Sequence, residues 1–208
     1  MHCWSPDGKQ IAVRQGGELS FISASSGENI RKLSLAEIEF EYTSRGMSWS
    51  PDGRLIVFCG RDKEKRAGVF IITVKTGEVK LLVPVETIAG DPTWAPDSKT
   101  IAYGYESNVY VVNIEDGKPR RITAPEEREH KGPGRPAFAP DGRSVAYRAG
   151  QRILLATTID GKETREIFHL KNKKFGINIF DWSPDGRHIV FTPGDSEIWC
   201  VAADGGER

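Results

Sequence analysis

Cysteine is scarce in this chain of 208 residues, and the three that occur are far apart, at Cys3, Cys59 and Cys200. A disulfide framework needs several paired cysteines, and a structural zinc site needs closely spaced Cys or His ligands. Neither pattern is present, and the four histidines are dispersed as well. We therefore predict free, buried thiols, no metal site and no cofactor.

An excess of one charge is also absent. The chain has 29 Lys plus Arg and 29 Asp plus Glu, so its formal net charge is zero at pH 7. A general nucleic-acid binder needs a strongly positive field, so we expect no nucleic-acid partner. No run approaches the roughly 20 apolar residues of a membrane-spanning helix, so we expect no membrane insertion.

Signatures of catalysis are missing too. There is no G-x-S-x-G, no H-E-x-x-H and no C-x-x-C in the sequence. The segment "GPGRPA" at 132–137 matches G-x-G-x-x-A, but its prolines lack the N–H donors that a phosphate-binding loop needs. It also precedes a predicted strand rather than a helix. We therefore predict that this chain is not an enzyme.

What the chain does contain is one ten-residue pattern written five times. The copies are "WSPDGKQIAV" (4–13), "WSPDGRLIVF" (49–58), "WAPDSKTIAY" (94–103), "FAPDGRSVAY" (138–147) and "WSPDGRHIVF" (182–191). Their prolines are spaced by 45, 45, 44 and 44 residues, a period typical of propellers and helical solenoids. Because the apolar segments are β-branched and aromatic and lack a 3.6-residue period, they predict strands.

The Pro-Asp-Gly core of the pattern predicts a tight turn. Proline presets φ for the second turn position, Asp bonds the onward backbone, and Gly accepts a positive φ. A second turn follows in each unit, marked by a glycine at positions 27, 77, 117, 161 and 205. Apolar segments lie between and beyond the two turns. Each unit therefore predicts four short antiparallel strands, the blade of a β-propeller.

The W-S-P-D-G-(K/R) hairpin, followed by an apolar strand that ends in D-G, resembles the TolB-like propeller repeat. The Gly-His and Trp-Asp pairs of WD repeats are absent. The resemblance covers the whole chain and implies an all-β fold, a β-propeller of five repeat units with four-stranded antiparallel blades. We expect a single domain over 1–208, or a fragment of a larger propeller. The expected blades span about 1–35, 46–83, 92–123, 136–170 and 180–208.

The last blade is predicted to lack its outer strand, because the chain ends soon after the segment "EIWCVA". Three arrangements follow from this. The ring closes with a three-stranded last blade, or the chain is a fragment of a larger propeller, or copies associate to cover their open ends. An unpaired apolar strand edge favours pairing with another chain, so we expect a homo-oligomer through the open terminal blade.

Loops that enter the inner strands and loops that join the second and third strands share one face in propellers of this kind, and partners usually bind there or in the central channel. Charged segments of this face carry the candidate partner-binding residues, since binding is often located on loops of a rigid scaffold. These are Lys63 and Arg66 in the loop 60–68, which contains the five extra residues of repeat two, and Glu126, Glu127, Glu129 and His130 in the loop 124–134.

Positions a few residues before each aromatic are expected to line the channel. Gly46, Asp91, Arg135 and Ile179 align at this position in successive units. Asp91 and Arg135 are therefore two further candidates, either as an ion pair between adjacent units or as ligand contacts. The repeated Asp of the turns is explained by turn chemistry alone.

The resemblance implies a non-catalytic protein-interaction or scaffold module, since periplasmic members of the family contact envelope proteins such as peptidoglycan-associated lipoprotein. Two alternatives remain open: an accessory propeller domain of a larger enzyme, such as a prolyl-oligopeptidase-like peptidase, or a small-ligand-binding propeller. The N-terminal "MHCWSPDG" shows no signal region. We expect a periplasmic location if the chain is a fragment of a secreted TolB-like protein, and a cytoplasmic one otherwise.

Overall fold

A computed structural model describes residues 1–35, 38–39, 46–87, 89–123, 135–172, 174–194 and 197–205. The described residues form β-strands joined by turns, with no helix among them. The expectation of an all-β fold is confirmed. In the described part of the chain, no element is a helix of the length and apolarity that a membrane crossing requires.

The first compact unit of the chain comprises residues 1–101 together with 113–118. Its first sheet has the order β1-β2-β3-β4. These strands span His2–Trp4, Gln10–Gln15, Glu18–Ser23 and Asn29–Ser34. Its second sheet contains five strands, β5 (Ile38–Glu39), β6 (Met47–Trp49), β7 (Leu55–Asp62), β8 (Ala67–Thr73) and β9 (Val79–Val85). Here β7 pairs with β6 near its start and with β5 at its end.

The third sheet joins β10 (Gly90–Trp94), β11 (Thr100–Tyr105), β12 (Asn108–Asn113) and β13 (Arg120–Arg121). Residues 102–112 and 119–208 make up the second compact unit. Its fourth sheet joins β14 (Ala137–Phe138), β15 (Ser144–Ala149), β16 (Ile153–Thr158) and β17 (Thr164–His169). The fifth sheet has three strands in the described residues, β18 (Ile177–Trp182), β19 (His188–Pro193) and β20 (Trp199–Ala202).

Each Ser-Pro-Asp-Gly segment forms the predicted turn between the first two strands of its sheet. In the second sheet, Ser50 Oγ donates to Asp52 Oδ1 at 2.6 Å and accepts the Leu55 N–H at 2.9 Å. Gly53 N–H donates to the Ser50 carbonyl, and Gly53 has φ +77°. The turn residues therefore satisfy each other, as turn chemistry predicts.

Repeats with Ala in place of Ser keep the same turn backbone. Gly142 N–H donates to the Ala139 carbonyl at 2.9 Å, and Arg143 N–H donates to Asp141 Oδ1 at 2.9 Å. The aspartate therefore holds the turn by itself where the serine is missing. The serine adds a second set of hydrogen bonds in the repeats that have it.

In the second, third and fifth repeats, the aromatic residue contacts the preceding sheet. The Trp49 ring packs edge-on against Phe21 of the first sheet, with the ring centres 5.6 Å apart. Between the second and third sheets, Trp94 Nε1 donates to the Ser48 carbonyl at 3.0 Å. Between the fourth and fifth, Trp182 Nε1 donates to the Ala137 carbonyl at 3.0 Å. The cores lie between these sheet faces.

The three cysteines differ in exposure. Cys59 is buried, and burial raises the pKa of its thiol well above the usual range. Cys3 is half-buried, and burial raises its pKa to about 12. Cys200 is exposed, so the prediction of a buried thiol is wrong there: it lies on the face of the last sheet that no described residue covers.

Replacing Ser50 by alanine is expected to lower the free energy of unfolding by about 1–2 kcal/mol, because this fully buried serine makes two hydrogen bonds. The fold is retained, since the turn at Ala139 has alanine at the same position. Urea unfolding at pH 7 measures the difference. Equal stability of the two proteins would contradict the role given to the serine.

The same variant gives a pH test. Burial acts to raise the pKa of Asp52. Hydrogen bonds from Ser50 and Arg54 lower this pKa by more than burial raises it, so that it lies below the usual 3.8. A lowered carboxyl pKa stabilises the folded state above the unfolded value of 3.8, and this contribution is lost as the pH falls below it. The stability gap between wild type and Ser50→Ala is therefore expected to be full near pH 7 and smaller below pH 3.8. A gap independent of pH would contradict the Ser50–Asp52 contribution.

Candidate functional site

The hairpin formed by β7 and β8 departs most from the repeat. The sequence placed the five extra residues of this unit in the loop 60–68. In the structure most of them lengthen the two strands, since β7 continues to Asp62 and β8 begins at Ala67. The turn itself is Lys63–Arg66, and the end of β7 pairs with the short strand β5.

Asp62 organises this turn. Its carboxylate accepts the Arg66 N–H at 2.9 Å and Arg66 Nε at 2.7 Å, while Arg66 Nη2 donates to Glu64 at 2.7 Å. Lys65 takes a positive φ of 65°, and its N–H donates to the Asp62 carbonyl. The charged groups of Asp62, Arg66 and Glu64 are therefore held by one another within the turn.

The electrostatics of the turn follow from this arrangement. Burial acts to raise the pKa of Asp62, and the hydrogen bonds and positive charge of Arg66 outweigh it, so the pKa lies below the usual range. The hydrogen bond to Asp62 raises the pKa of Arg66 in turn. Both groups are charged at neutral pH, and the pair fixes the turn as a preformed structure.

A pocket of about 370 Å³ lies beside this turn, within the first unit. Its apolar part is contributed by the segment after β4 and by the strands of the second sheet. Its charged part is the turn itself. The lining residues are Ser34, Leu35, Ile38, Asp62, Lys63, Glu64, Arg66, Phe70, Gly77, Val79 and Leu81.

An apolar floor beside fixed charges suits a ligand that has both an apolar and a charged group. Leu35 and Phe70 are each no more than 2 % exposed, and Ile38 is also buried. The lining contains one hydroxyl, from Ser34, and neither a histidine nor a thiol. Its chemistry therefore suits binding, since no lining side chain pairs a nucleophile with a histidine base.

A second depression, of about 450 Å³, lies between the turns of the first and second repeats. It is lined by Ser5, Pro6, Asp7, Gln10, Trp49, Pro51, Asp52, Gly53 and Val74. These are largely the residues that build the two turns, and Ser5 and Asp7 already bond to each other at 2.6 Å. The depression is therefore explained by turn structure.

The structure places the sequence-predicted residues in separate locations. Lys63 and Arg66 both line the pocket. Glu126, Glu127, Glu129 and His130 lie outside the described residues, so their part in a site stays a prediction. Asp91 and Arg135 belong to different compact units, and the ion pair proposed between them stays a prediction as well.

Asp91 lies on β10 next to the residue that aligns with it in the preceding repeat. A Cβ atom added to Gly46 would come within 3.0 Å of Asp91 Oδ1, so glycine leaves the space that this carboxylate occupies. The charge of Asp91 also contributes, after burial, to the raised pKa of Cys59. Asp91 is thus packed against the inner strands of the first unit.

Arg135 lies just before β14. The register Ala137↔Ala146, continued two residues, places Arg135 opposite Arg148. Burial, and secondly the charge of Arg135, lower the pKa of Arg148. Arg148 Nη1 donates to the Ile177 carbonyl at 2.7 Å, which holds its side chain toward the start of β18. These two arginines therefore lie near each other at this end of β14 and β15.

Sequence reasoning missed the residues that give the pocket its form. Asp62 was overlooked although the spacing Asp62-x-x-x-Arg66 is one that lets a carboxylate cap a tight turn. Ile38 carried no signal, because the repeat pattern does not include the segment between β4 and β6. The pairing of β5 with the end of β7 brings Ile38 to the pocket.

Among the described residues, no group of three or more His, Cys, Asp or Glu side chains lies close enough to hold a metal ion. The carboxylates of the turns are each engaged by hydrogen bonds from their own turn, as with Asp97, which accepts the Lys99 and Thr100 N–H groups at 2.8 Å.

Stacked antiparallel sheets built from a repeated aromatic–turn–strand unit define the class of β-propeller repeat proteins. The family model described as "TolB beta propeller domain" matches residues 44–204. This chain belongs to the TolB β-propeller domain family.

Similar proteins include the Tol-Pal system protein TolB of Francisella tularensis subsp. mediasiatica, 33% identical over 82 residues, which are 36% of this chain and 19% of that protein. The chain is also 30% identical over 102 residues to the uncharacterized peptidase YuxL of Bacillus subtilis, covering 48% of this chain and 14% of that one. These matches thus span less than a fifth of the length of either relative.

Solved structures show the same fold at low identity. A putative TolB from Agrobacterium tumefaciens superposes with a TM-score of 0.76 at 21% identity, covering 99% of this chain and 77% of that one. An oligogalacturonate lyase from Vibrio parahaemolyticus superposes with a TM-score of 0.71 at 15% identity, covering 98% and 62%. At such identities the likeness establishes the propeller fold alone.

Replacing Asp62 by alanine is expected to loosen the turn, because the Arg66 N–H and Nε lose their acceptor. Amide hydrogen exchange at Arg66 then becomes several-fold faster, as measured by NMR or mass spectrometry. Glu64→Ala is the matched control: it removes one exposed bond to the same arginine and leaves the Arg66 amide protected. Equal exchange rates in the two variants would contradict the role of Asp62.

Proposed function

We propose that this chain is a non-catalytic, protein-binding propeller module, and that the pocket beside the Lys63–Arg66 turn is part of its binding surface. The observation that carries the proposal is the combination of a buried apolar floor with charges fixed at the rim. A polypeptide offers both an apolar side chain for such a floor and charged groups for such a rim.

The fixed turn supports this proposal on energetic grounds. Binding is weakened by the ordering of mobile loops, and a surface that is already ordered avoids that cost. Because Asp62 holds Arg66 before any partner arrives, Lys63 and Arg66 are presented in a defined arrangement. The names of the relatives agree with a role in assembly, since several are Tol-Pal system proteins.

We further propose that the five sheets are the blades of one propeller domain and that the fifth is open. The regular repeat spacing supports this, as does the superposition on the putative TolB structure over 99% of the chain. The three-stranded fifth sheet supports the open last blade. The channel candidates Asp91 and Arg135, and the loop residues Glu126, Glu127, Glu129 and His130, belong to this proposal as further contacts.

A second candidate function is an accessory propeller of a larger enzyme. It rests on the 30% identity to the uncharacterized peptidase YuxL over 48% of this chain. In that case the propeller positions or admits a substrate, and the chemistry is done by another domain. The oligogalacturonate lyase superposition adds only that this fold occurs in enzymes as well.

Site-specific photo-crosslinking in the source cells tests the protein-binding function. A photoreactive residue at position 63 is expected to capture a discrete partner, while the same residue at 187 is not. Arg187 is the matched control, because it is exposed and lies on the fifth repeat's Ser-Pro-Asp-Gly turn. Capture at both positions, or at neither, would count against the pocket as a binding surface.

The captured partner, once purified, is then titrated against the wild type and against Lys63→Glu. We expect the charge reversal to weaken binding by about tenfold, which corresponds to about 1.4 kcal/mol. Arg187→Glu should leave the affinity unchanged. If the captured species proves to be a peptidase or lyase domain whose substrate range changes on binding, the accessory role is favoured instead.

A further inference from the structure

The junction between the fourth and fifth sheets has an arginine at its edge. Both sheets belong to the second compact unit. Ala146 and Leu154 of the fourth sheet are fully buried in the core of this junction, together with residues of the fifth sheet. Because side chains alternate along a strand, Arg148 of β15 points to the same face as Ala146, two residues away. Arg148 therefore lies where the apolar core of the junction ends.

Only one side of the Arg148 guanidinium is engaged by the described residues. Its Nη1 donates to the Ile177 carbonyl of β18 at 2.7 Å. Its Nε is buried and has no hydrogen-bond partner in the described part of the chain. Nη2 makes no hydrogen bond to a described residue either, although the residue as a whole is only half-buried. Since Nε and Nη2 donate from the same edge, one edge of the guanidinium is left without an acceptor.

A second arginine lies beside this edge. The register of β14 and β15 places Arg135 opposite Arg148, and residues opposite each other in an antiparallel pair share a face. Burial, and secondly the charge of Arg135, lower the pKa of Arg148. Both causes act against the charged form of Arg148, and an unsatisfied charged donor is more costly than a neutral one. An anion bound at the open edge would reverse these effects.

The loops at this end of the two sheets add positive charge. Main-chain hydrogen bonds join Gln151 to Ile177 at 2.7 Å and Arg152 to Leu170 at 2.8 Å. The turn after β15 and the segment before β18 therefore lie side by side. In the sequence, 150–152 and 170–176 contain no acidic residue and four basic ones, which are Arg152, Lys171, Lys173 and Lys174.

We propose that Arg148 and Arg135 form a binding site for a phosphate group. The Nε–Nη2 edge of Arg148 donates to two phosphate oxygens in the bidentate arrangement that guanidinium groups favour. Arg135, on the same face, donates to a third oxygen. A carboxylate has only two oxygens, and the Arg148 edge would use both. A phosphate monoester carries about −1.5 to −2 charges at pH 7, which also suits the basic loops nearby.

This proposal does not rest on the protein-binding function proposed above. The pocket beside the Lys63–Arg66 turn lies in the first compact unit and shares no residue with the phosphate site. Alignment of the repeats identifies Arg135 but not Arg148. The register of β14 and β15 is what brings the second arginine to the site.

Thermal unfolding of the whole chain tests the proposal, with chloride replaced by increasing inorganic phosphate at pH 7 and constant ionic strength. We expect a saturable rise in Tm, of about 3–5 °C when phosphate is tenfold above its Kd. Phosphate also stabilises apolar burial in any protein, but this general effect does not saturate. Calorimetric titration with phosphate is expected to give one site per chain.

Three variants separate the site from a general effect of the salt. Arg148→Lys keeps the positive charge and removes the two-donor edge, and Arg135→Gln removes the second donor. Each is expected to bind phosphate about tenfold more weakly. Arg143→Gln is the matched control, because Arg143 is an exposed arginine at the opposite end of β15, and it should bind as the wild type does.

Each variant is compared with its own Tm in the absence of phosphate, so a loss of stability is distinguished from a loss of binding. Arg135 is exposed, and Arg135→Gln therefore decides the question even if Arg148→Lys fails to fold. Phenyl phosphate identifies the source of the phosphate group. Tighter binding than inorganic phosphate indicates a monoester ligand, whereas weaker or equal binding indicates free phosphate.

Three results would overturn the proposal. The first is a wild type without a saturable shift, which would mean that the charge of the two arginines is balanced within the chain. The second is the same shift in the wild type, Arg148→Lys and Arg135→Gln, which would indicate a general salt effect. The third is a larger saturable shift with acetate than with phosphate, which would indicate a carboxylate site.

Discussion

The structure depends on one repeated contact, in which the aromatic and aliphatic residues of a repeat pack against the sheet that precedes it. A single sheet of three to five strands cannot cover its own apolar faces, so the repeats bury them against one another. The indole N–H groups of Trp94 and Trp182 each donate a hydrogen bond to a main-chain carbonyl of the preceding sheet. This bond satisfies the only polar atom of the tryptophan side chain, which would otherwise lack a partner at the contact.

Turn chemistry makes that contact possible. The aspartate of each turn accepts main-chain N–H groups within its own turn, and the chain reverses in the few residues available between two strands. Where serine is replaced by alanine, the aspartate holds the turn without it. The five copies therefore vary at the serine and keep the proline and the aspartate.

The second unit departs most from the repeat, and the proposed binding surface lies there. The second unit lengthens β7 and β8 beyond the regular hairpin, and the charged turn at their end is fixed by Asp62. This departure adds a pocket to a scaffold that otherwise repeats itself, and it does so without disturbing the junctions below it. Propellers serve enzymes and assembly proteins alike, so the residues of such departures carry more functional information than the fold does.

The sequence by itself determined the all-β fold, the strand and turn units, and the family, because each repeat contains its own turn residues and apolar strand pattern within about ten residues. It also located Lys63 and Arg66 in the segment that lines the pocket. The tertiary structure decided the rest. Asp62 and Arg66 meet through a turn, but Ile38 reaches the pocket through the pairing of β5 with β7. The exposure of Trp4 and Val190 could not be predicted from the local sequence, because the same residue types are buried at the equivalent positions Trp94 and Val57. Burial at these positions depends on whether another sheet packs against the residue, which the tertiary structure decides.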